Sequence, residues 1–215
     1  MPVVSISDSQ RKPLSWANWL GTIYHGLPAD RLPFQERPGA YLAFLGRFSP
    51  EKGPLQAIEI ALKSGLPLKM AAKIENGDKE YFDSAVRPHL TNPAIEYVGE
   101  INELEKGPFL GGARALLFPI DRPEPFGLVM IEALACGTPV LAFPEGSVPE
   151  ILEDGVTAHF GRTVDDLVRA VGRIGDLDRR ACRETFERRF SDARMAADYE
   201  LLYRRILEET VSWTK

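Results

Sequence analysis

Two carboxylates, Glu124 and Glu132, flank a Pro-Phe-Gly turn in the stretch RPEPFGLVMIEALACGTPV, residues 122–140. The run from Gly127 reads as a helix, which puts Glu132 roughly 7 to 8 Å along it at 1.5 Å per residue, while Glu124 stays in the turn ahead. The first turn of a helix carries free N–H groups that attract an anion, and Gly127 has no side chain to keep a ligand from the backbone. A phosphate suits that place. Carboxylates repel phosphate, so the two acids that bracket it are expected to face neutral hydroxyls, which donate strong charge-assisted hydrogen bonds. A nucleotide sugar has the matching form: ribose, diphosphate, hexose. The plainer alternative leaves Glu124 as an exposed turn residue and Glu132 as an exposed helix residue.

A second stretch, GRFSPEKG (46–53), carries the complementary charge. Gly46 ends an apolar run, Arg47 and Lys52 supply two cations, and Gly53 lies beside the start of the next helical pattern. Cations next to a helix N-terminus add to its dipole and backbone N–H groups, which makes a diphosphate the natural ligand. Alternatively the loop is solvated and Lys52 merely offsets Glu51.

These residues need elements to position them, and short apolar runs alternate with amphipathic stretches from residue 41 onward. Strands are expected at 41–46, 68–74, 95–99, 113–119, 138–143 and 157–160, with helices at 54–65, about 78–87, near 102–109 and from Gly127. That alternation predicts an α/β domain: a Rossmann-like, doubly wound parallel sheet with helices on both faces. Ligands in such sheets sit outside the carboxyl ends of the strands, so the loops 46–53, 99–105 and 119–128 are the candidate site. Beyond residue 163 the pattern is helical, and Met195, Tyr199, Leu202 and Ile206 give the last helix an apolar stripe. Residues 1–40, rich in Pro and Gly, read as a linker outside the core with one short strand at 21–26.

Composition narrows the classes. With 215 residues, 44% of them apolar, the chain buries on the order of 70% of its unfolded surface and folds without staples. Two cysteines, Cys136 and Cys182, are too few for a disulfide framework and read as reduced thiols, which points to a cytoplasmic location. No apolar run has the roughly 20 residues of an integral membrane segment, and a net charge of -5 argues against nucleic acid as a partner. No Gly-x-Gly-x-x-Gly follows a strand, which weakens a dehydrogenase reading.

Taken together, TIYHGL (22–27), GRFSPEKG, IEYVGEI, LLFPIDRPEPFGLVMIEALACGTPVLAF and GSVPEILEDGVTAHF (146–160) resemble the retaining glycosyltransferases of family 4. Glu, seven residues, Glu around Pro-Phe-Gly is the most specific element. The resemblance implies the C-terminal, donor-binding half of a GT-B glycosyltransferase. It assigns residues 1–22 to the remnant of an N-terminal domain and linker, 23–190 to the nucleotide-sugar-binding domain, and 191–215 to a C-terminal helix that packs against the absent half. It also implies that Arg47 and Lys52 bind the donor diphosphate and neutralise the leaving group, that Glu124 contacts hydroxyls of the transferred sugar, and that Glu132 holds the ribose. Gly46 and the backbone of Phe126, Gly127, Leu128 and Val129 are expected at sugar and phosphate oxygens, with the base against Gly99 to Ile101. The donor is a UDP, GDP or ADP sugar, and neither a cofactor nor a metal is implied. A non-catalytic nucleotide-sugar binding module is the alternative.

Two departures from that family matter. Its glycine-rich turn after the second strand is replaced by AAKIENGD, which brings Lys73 near the ligand edge, either as a further contact or as an ordinary snorkelling lysine. The N-terminal half that supplies the acceptor pocket is missing, so the isolated chain is expected to be inactive. Other signals are weaker. Asp-Leu-Asp (176–178) matches the metal-holding Asp-x-Asp of another glycosyltransferase fold but reads as a solvated helix start, and His25, His89 and His159 lack metal-ligand spacing. His25 borders the donor site by resemblance or is a plain loop residue. The arginine-rich run 179–189 reads as a charged solvent face, while Trp16, Trp19 and Trp213 are candidates for exposed apolar surface.

Overall fold

A computed structural model describes residues 2–212, so Trp213 lies outside the described residues. In chain order the elements are β1 (Val3–Ser5), α1 (Asp8–Arg11), β2 (Trp19–Thr22), β3 (Tyr41–Arg47), α2 (Pro54–Ser64), β4 (Leu68–Lys73), α3 (Lys79–Tyr81), β5 (Ile95–Gly99), α4 (Glu103–Gly111) and β6 (Ala113–Phe118). They continue with α5 (Leu128–Ala135), β7 (Val140–Ala142), α6 (Val148–Ile151), β8 (Ala158–Phe160), α7 (Val164–Val171), α8 (Arg179–Phe190) and α9 (Asp192–Ser212). The helix expected at 78–87 is broken into α3, a π turn over Phe82–Val86 and a 3₁₀ turn over Arg87–Thr91. Pro88 enters that last turn without an N–H to continue the helical ladder.

Strands β3 to β8 form one parallel sheet in the order β5-β4-β3-β6-β7-β8. The chain winds outward from β3 through β4 to β5, returns to β6 on the other side of β3, and winds outward again. This is a Rossmann-like, doubly wound sheet. Because the winding reverses between β3 and β6, the loops leaving their carboxyl ends part and open a crevice there.

Side chains alternate along each strand, so β6 sends Leu116 and Phe118 into one apolar layer and Ala115 and Leu117 into the other. The first layer holds Leu110 of α4, Ile131 of α5 and Phe186 of α8; the second holds Ile58 of α2 and Leu167 of α7. Both faces are covered, as an all-parallel sheet requires. The open edge at β8 is closed by the turn before it, where Gly155 N–H donates to Ala158 O (2.8 Å) and Phe160 N–H to Asp154 Oδ1 (3.0 Å).

Two expectations are corrected. The segment expected as a linker is no free linker over its described residues 2–40: β1 pairs in parallel with β2, Ile23 and Leu32 are buried, and the strand expected at 21–26 is Trp19–Thr22. Apolar contacts without a period and polar staples hold this segment: Ile6, Tyr24, Leu27 and Ala29 pack against the core, and Asp8 and Ser9 N–H groups both donate to the Glu150 carboxylate at 2.7 Å. The arginine-rich helix α8 is not a solvent face either. Arg179 is 7% exposed and donates to Gln35 O (2.7 Å), Gly111 O (2.7 Å) and Ala113 O (2.9 Å), and Arg183 donates to Ala29, Leu32 and Ala135 carbonyls. Gly111 and Ala135 end α4 and α5, whose last carbonyls have no partner within the helix. Arginines therefore turn inward to serve them, and only Arg180 and Arg188 stay exposed.

Candidate functional site

The crevice between the loops after β3 and β6 is a cleft of about 370 Å³. Its β3 side is Leu45, Gly46, Arg47 and Lys52; its β6 side is Phe118 and the run Glu124 to Val129. Ile6 and His25 of the N-terminal segment complete the wall.

The loop after β6 is shaped by two glycines. Gly127 caps α5 at φ 78°, and a Cβ there would lie 2.8 Å from Met130 Cε and 3.1 Å from Phe118 Cζ. No side chain caps this helix, so its leading N–H groups remain available at the cleft. Behind the loop, Gly146 lies so close that a Cβ would fall 2.3 Å from Glu124 N. Ser147 N–H donates to Glu124 O (3.0 Å) and its hydroxyl to Phe126 O (2.9 Å), while Ser7 Oγ donates to Pro125 O. Glu124 is thus carried on a turn whose carbonyls are held by two serines. Ser7 and Ser147 have no sequence signal of their own, because each acts on a backbone carbonyl far away in the chain.

The charges in the cleft are already matched to one another. Lys52 Nζ pairs with Glu124 Oε2 across the crevice, both side chains largely buried. Arg47 meets Glu51 and Glu75 at 3.2 Å and Asp78 at 3.9 Å. The Ser49 hydroxyl, 2.7 Å from Glu51 Oε1, holds that carboxyl below its ordinary range. His25 edges onto the Phe126 ring at 4.8 Å, and burial together with the Arg194 charge keeps its imidazole below its usual pKa, hence neutral at pH 7. This group is a cleft wall rather than a plain loop residue.

The remaining candidates stand outside the 370 Å³ cleft. Glu132, 7% exposed, lies deeper along α5, where Lys106 Nζ donates to its Oε1 at 2.8 Å and also reaches Glu103 at 2.7 Å. It is not an exposed helix residue. Burial opposes the charge on Lys106, but the bonds to Glu103 and Glu132 outweigh it and raise the pKa. Gly99 ends β5 at φ 88°, and Ile101 packs half-buried against the layer that holds Met130. Two strand spacings separate β5 from β3, about 10 Å. Lys73 is exposed in register with Arg47. Asp178 caps α8 through Arg180 N–H (2.8 Å), Asp176 pairs with Arg173, and buried His159 meets Arg173 O at 3.2 Å, so none gathers into a metal site. A hollow of about 670 Å³ beyond β8 is walled by Arg162, Arg169 and Arg173, and it touches neither crevice loop. Among the described residues no helix is long and apolar enough to cross a membrane.

Comparisons with known proteins bear on this arrangement. The sequence profile of the family described as glycosyl transferases group 1 matches residues 33–186, well over half of the chain. Glycogen synthase of Mycobacterium tuberculosis is 31% identical over 189 residues, which cover 83% of this chain and 44% of that protein. The crystal structure of AviGT4, a glycosyltransferase involved in avilamycin A biosynthesis, superposes with a TM-score of 0.79 at 26% identity, over 95% of this chain and 63% of that one. Anabaena HepE, crystallised in complex with UDP-glucose, shares the fold with a TM-score of 0.79 at 16% identity, over 96% and 63% of the two chains. The chain therefore spans about half the length of the curated relatives it matches.

Proposed function

The chain belongs to the glycosyl transferases group 1 family, and from that premise we propose that it is the donor-binding, C-terminal half of a retaining glycosyltransferase that transfers a hexose from a UDP, GDP or ADP sugar. One observation carries this reading: Arg47, Lys52, Glu124 and the uncapped start of α5 line one cleft where the strand order reverses.

The donor diphosphate takes Lys52 and Arg47 away from their carboxylates and sits before the N–H groups of α5. Glu124, released from Lys52, accepts from hydroxyls of the transferred sugar, so neither member of the buried pair is left without a partner. When the bond from the anomeric carbon to the diphosphate oxygen breaks, its electron pair goes to the departing nucleoside diphosphate. Fixed cations and helix N–H groups lower the barrier by facing that growing charge. Gly46 and Phe126 to Val129 supply close backbone, Glu132 the ribose contact, and the chain from Gly99 to Ile101 the wall for the base. An N-terminal half provides the acceptor pocket, residues 1–22 lead from it, 23–190 form the donor domain, and the helix in 191–215 packs back against it. The reaction is cytoplasmic and uses no cofactor.

Calorimetry against UDP, GDP and ADP tests the reading. One of them is expected to bind one to one, and K52M to weaken it at least about tenfold through loss of a charge-assisted contact. No binding by any of the three would overturn the proposal. Adding a separately produced N-terminal half and measuring sugar transfer, with the anomeric configuration of the product, then tests catalysis and retention.

A further inference from the structure

Glu132 is the one charged residue in the helix LVMIEALA, and its side chain is 10% exposed. A carboxylate so placed keeps its charge only with a counter-charge or hydrogen bonds. Lys106 supplies both, on Oε1 alone, at 2.8 Å. Among the described residues the only sealed side-chain nitrogen or oxygen without a hydrogen-bond partner is Arg194 Nε, so Glu132 Oε2, to which no donor is directed, is not fully sealed off. One oxygen is pinned and the other presented.

The lysine itself is held by design of its helix start. Asn102 caps α4, accepting from Leu104 and Glu105 N–H groups (2.9 and 3.3 Å), and Glu105 returns the bond to Asn102 N–H (2.7 Å). Lys106 follows within the first turn, is 20% exposed, and is further tied to Glu103 at 2.7 Å. The capping box begins one residue after Ile101, so the loop that ends β5 and the acid on α5 are joined through a single ammonium group.

We propose that Lys106 is a positioning residue for donor recognition: by gripping Glu132 Oε1 it aims Oε2 at the ribose hydroxyls and holds the β5 loop in step with them. This rests on the reading of the cleft as a nucleotide-sugar donor site. Lys106 touches the ligand at no point and acts only through Glu132.

The test uses the full chain and calorimetry with whichever of UDP, GDP or ADP binds, its 2′-deoxy and 3′-deoxy counterparts, and pyrophosphate. The unaltered chain is expected to prefer the ribonucleotide about tenfold over the deoxy forms. K106M is expected to bind all three nucleotides at the weaker level, while its pyrophosphate affinity stays within twofold of the original. K106Q, whose amide offers the carboxylate a hydrogen-bond donor in place of the counter-charge, is expected to fold and to fall between the two; it decides the matter should K106M not fold. K106R is expected to restore the preference. Loss of pyrophosphate binding in parallel, or unchanged ribose preference in K106Q and K106M, overturns the role of Lys106 while leaving the donor site intact. A wild-type chain that binds no nucleotide overturns the donor reading itself, and one that binds without ribose preference overturns Glu132 as the ribose contact and Lys106 with it.

Discussion

Lys52 and Glu124 lie 72 positions apart in the chain and neutralise each other inside the cleft. Such a pair costs desolvation of both charges, and it is breakable at small net expense only when a ligand offers each member a replacement. A diphosphate joined to a sugar offers both at once. Truncating one member alone strands the other, which is why K52M and E124A are expected to differ in kind: the first loses diphosphate affinity, the second keeps it and loses transfer. Gly146 controls the same acid from behind. G146A puts a methyl group into the backbone of Glu124 at a left-handed φ of 62°, so the turn must move. With the N-terminal half added, sugar transfer is expected to fall at least about tenfold with Tm lowered by only a few degrees, since the strain is confined to one loop. Equal activity in G146A and wild type would show that the clamp is unimportant.

Among the elements, α8 has an unusual duty. Its Arg179 ties the end of α4 and β6's first residue to the chain before the sheet, through the carbonyls of Gly111, Ala113 and Gln35. R179M is therefore expected to cost about 3 kcal/mol, from several carbonyls losing a charged donor, and to lower Tm by roughly 6 to 12 °C. Thermal unfolding followed by circular dichroism checks this, with R180M, on the exposed side, as the silent control. The packing of α5 and α8 also seals Cys136 and Cys182, whose thiols burial pushes up to about 12. Both stay protonated at pH 8, well below that value, so iodoacetamide is expected to label neither in the folded chain and both in denaturant. Rapid labelling at pH 8 without denaturant would mean that this layer opens readily.

For the whole molecule, the reversal of winding between β3 and β6 sets where a ligand acts on stability. On the proposed reading a nucleoside diphosphate that bridges the two loops binds only the folded sheet, so at a hundred times its Kd it is expected to add about 2.7 kcal/mol. Tm is then expected to rise by roughly 5 to 10 °C. Differential scanning calorimetry with UDP, GDP and ADP measures this, and a flat response to all three would contradict a donor site at the crevice. Amide exchange should slow in the loops after β3 and β6 and stay unchanged in the turn before β8, which lies at the far edge of the sheet.

The strands β3 to β6 and the helices α2, α4 and α5 were legible along the chain, because apolar periodicity and glycine or proline punctuation are local properties. The resemblance of GRFSPEKG and of the two acids around Pro-Phe-Gly to one enzyme family was legible for the same reason: motifs are spacings. The order β5-β4-β3-β6-β7-β8 was not, and it alone brings Arg47 and Lys52 into the cleft that holds Glu124 and the start of α5. Nor was the inward turn of Arg179, which reaches Gly111 across 68 positions, or the grip of Lys106 on Glu132 across 26. An arginine-rich helix looks solvated until the helix ends beside it are known to lack donors, and a buried acid looks exposed until its lysine arrives. By itself the sequence determined most of the elements from residue 41 onward and which residues carry charge at their ends. Tertiary structure decided which charges meet, because pairing across a sheet is settled by contacts between distant residues and leaves no period to read.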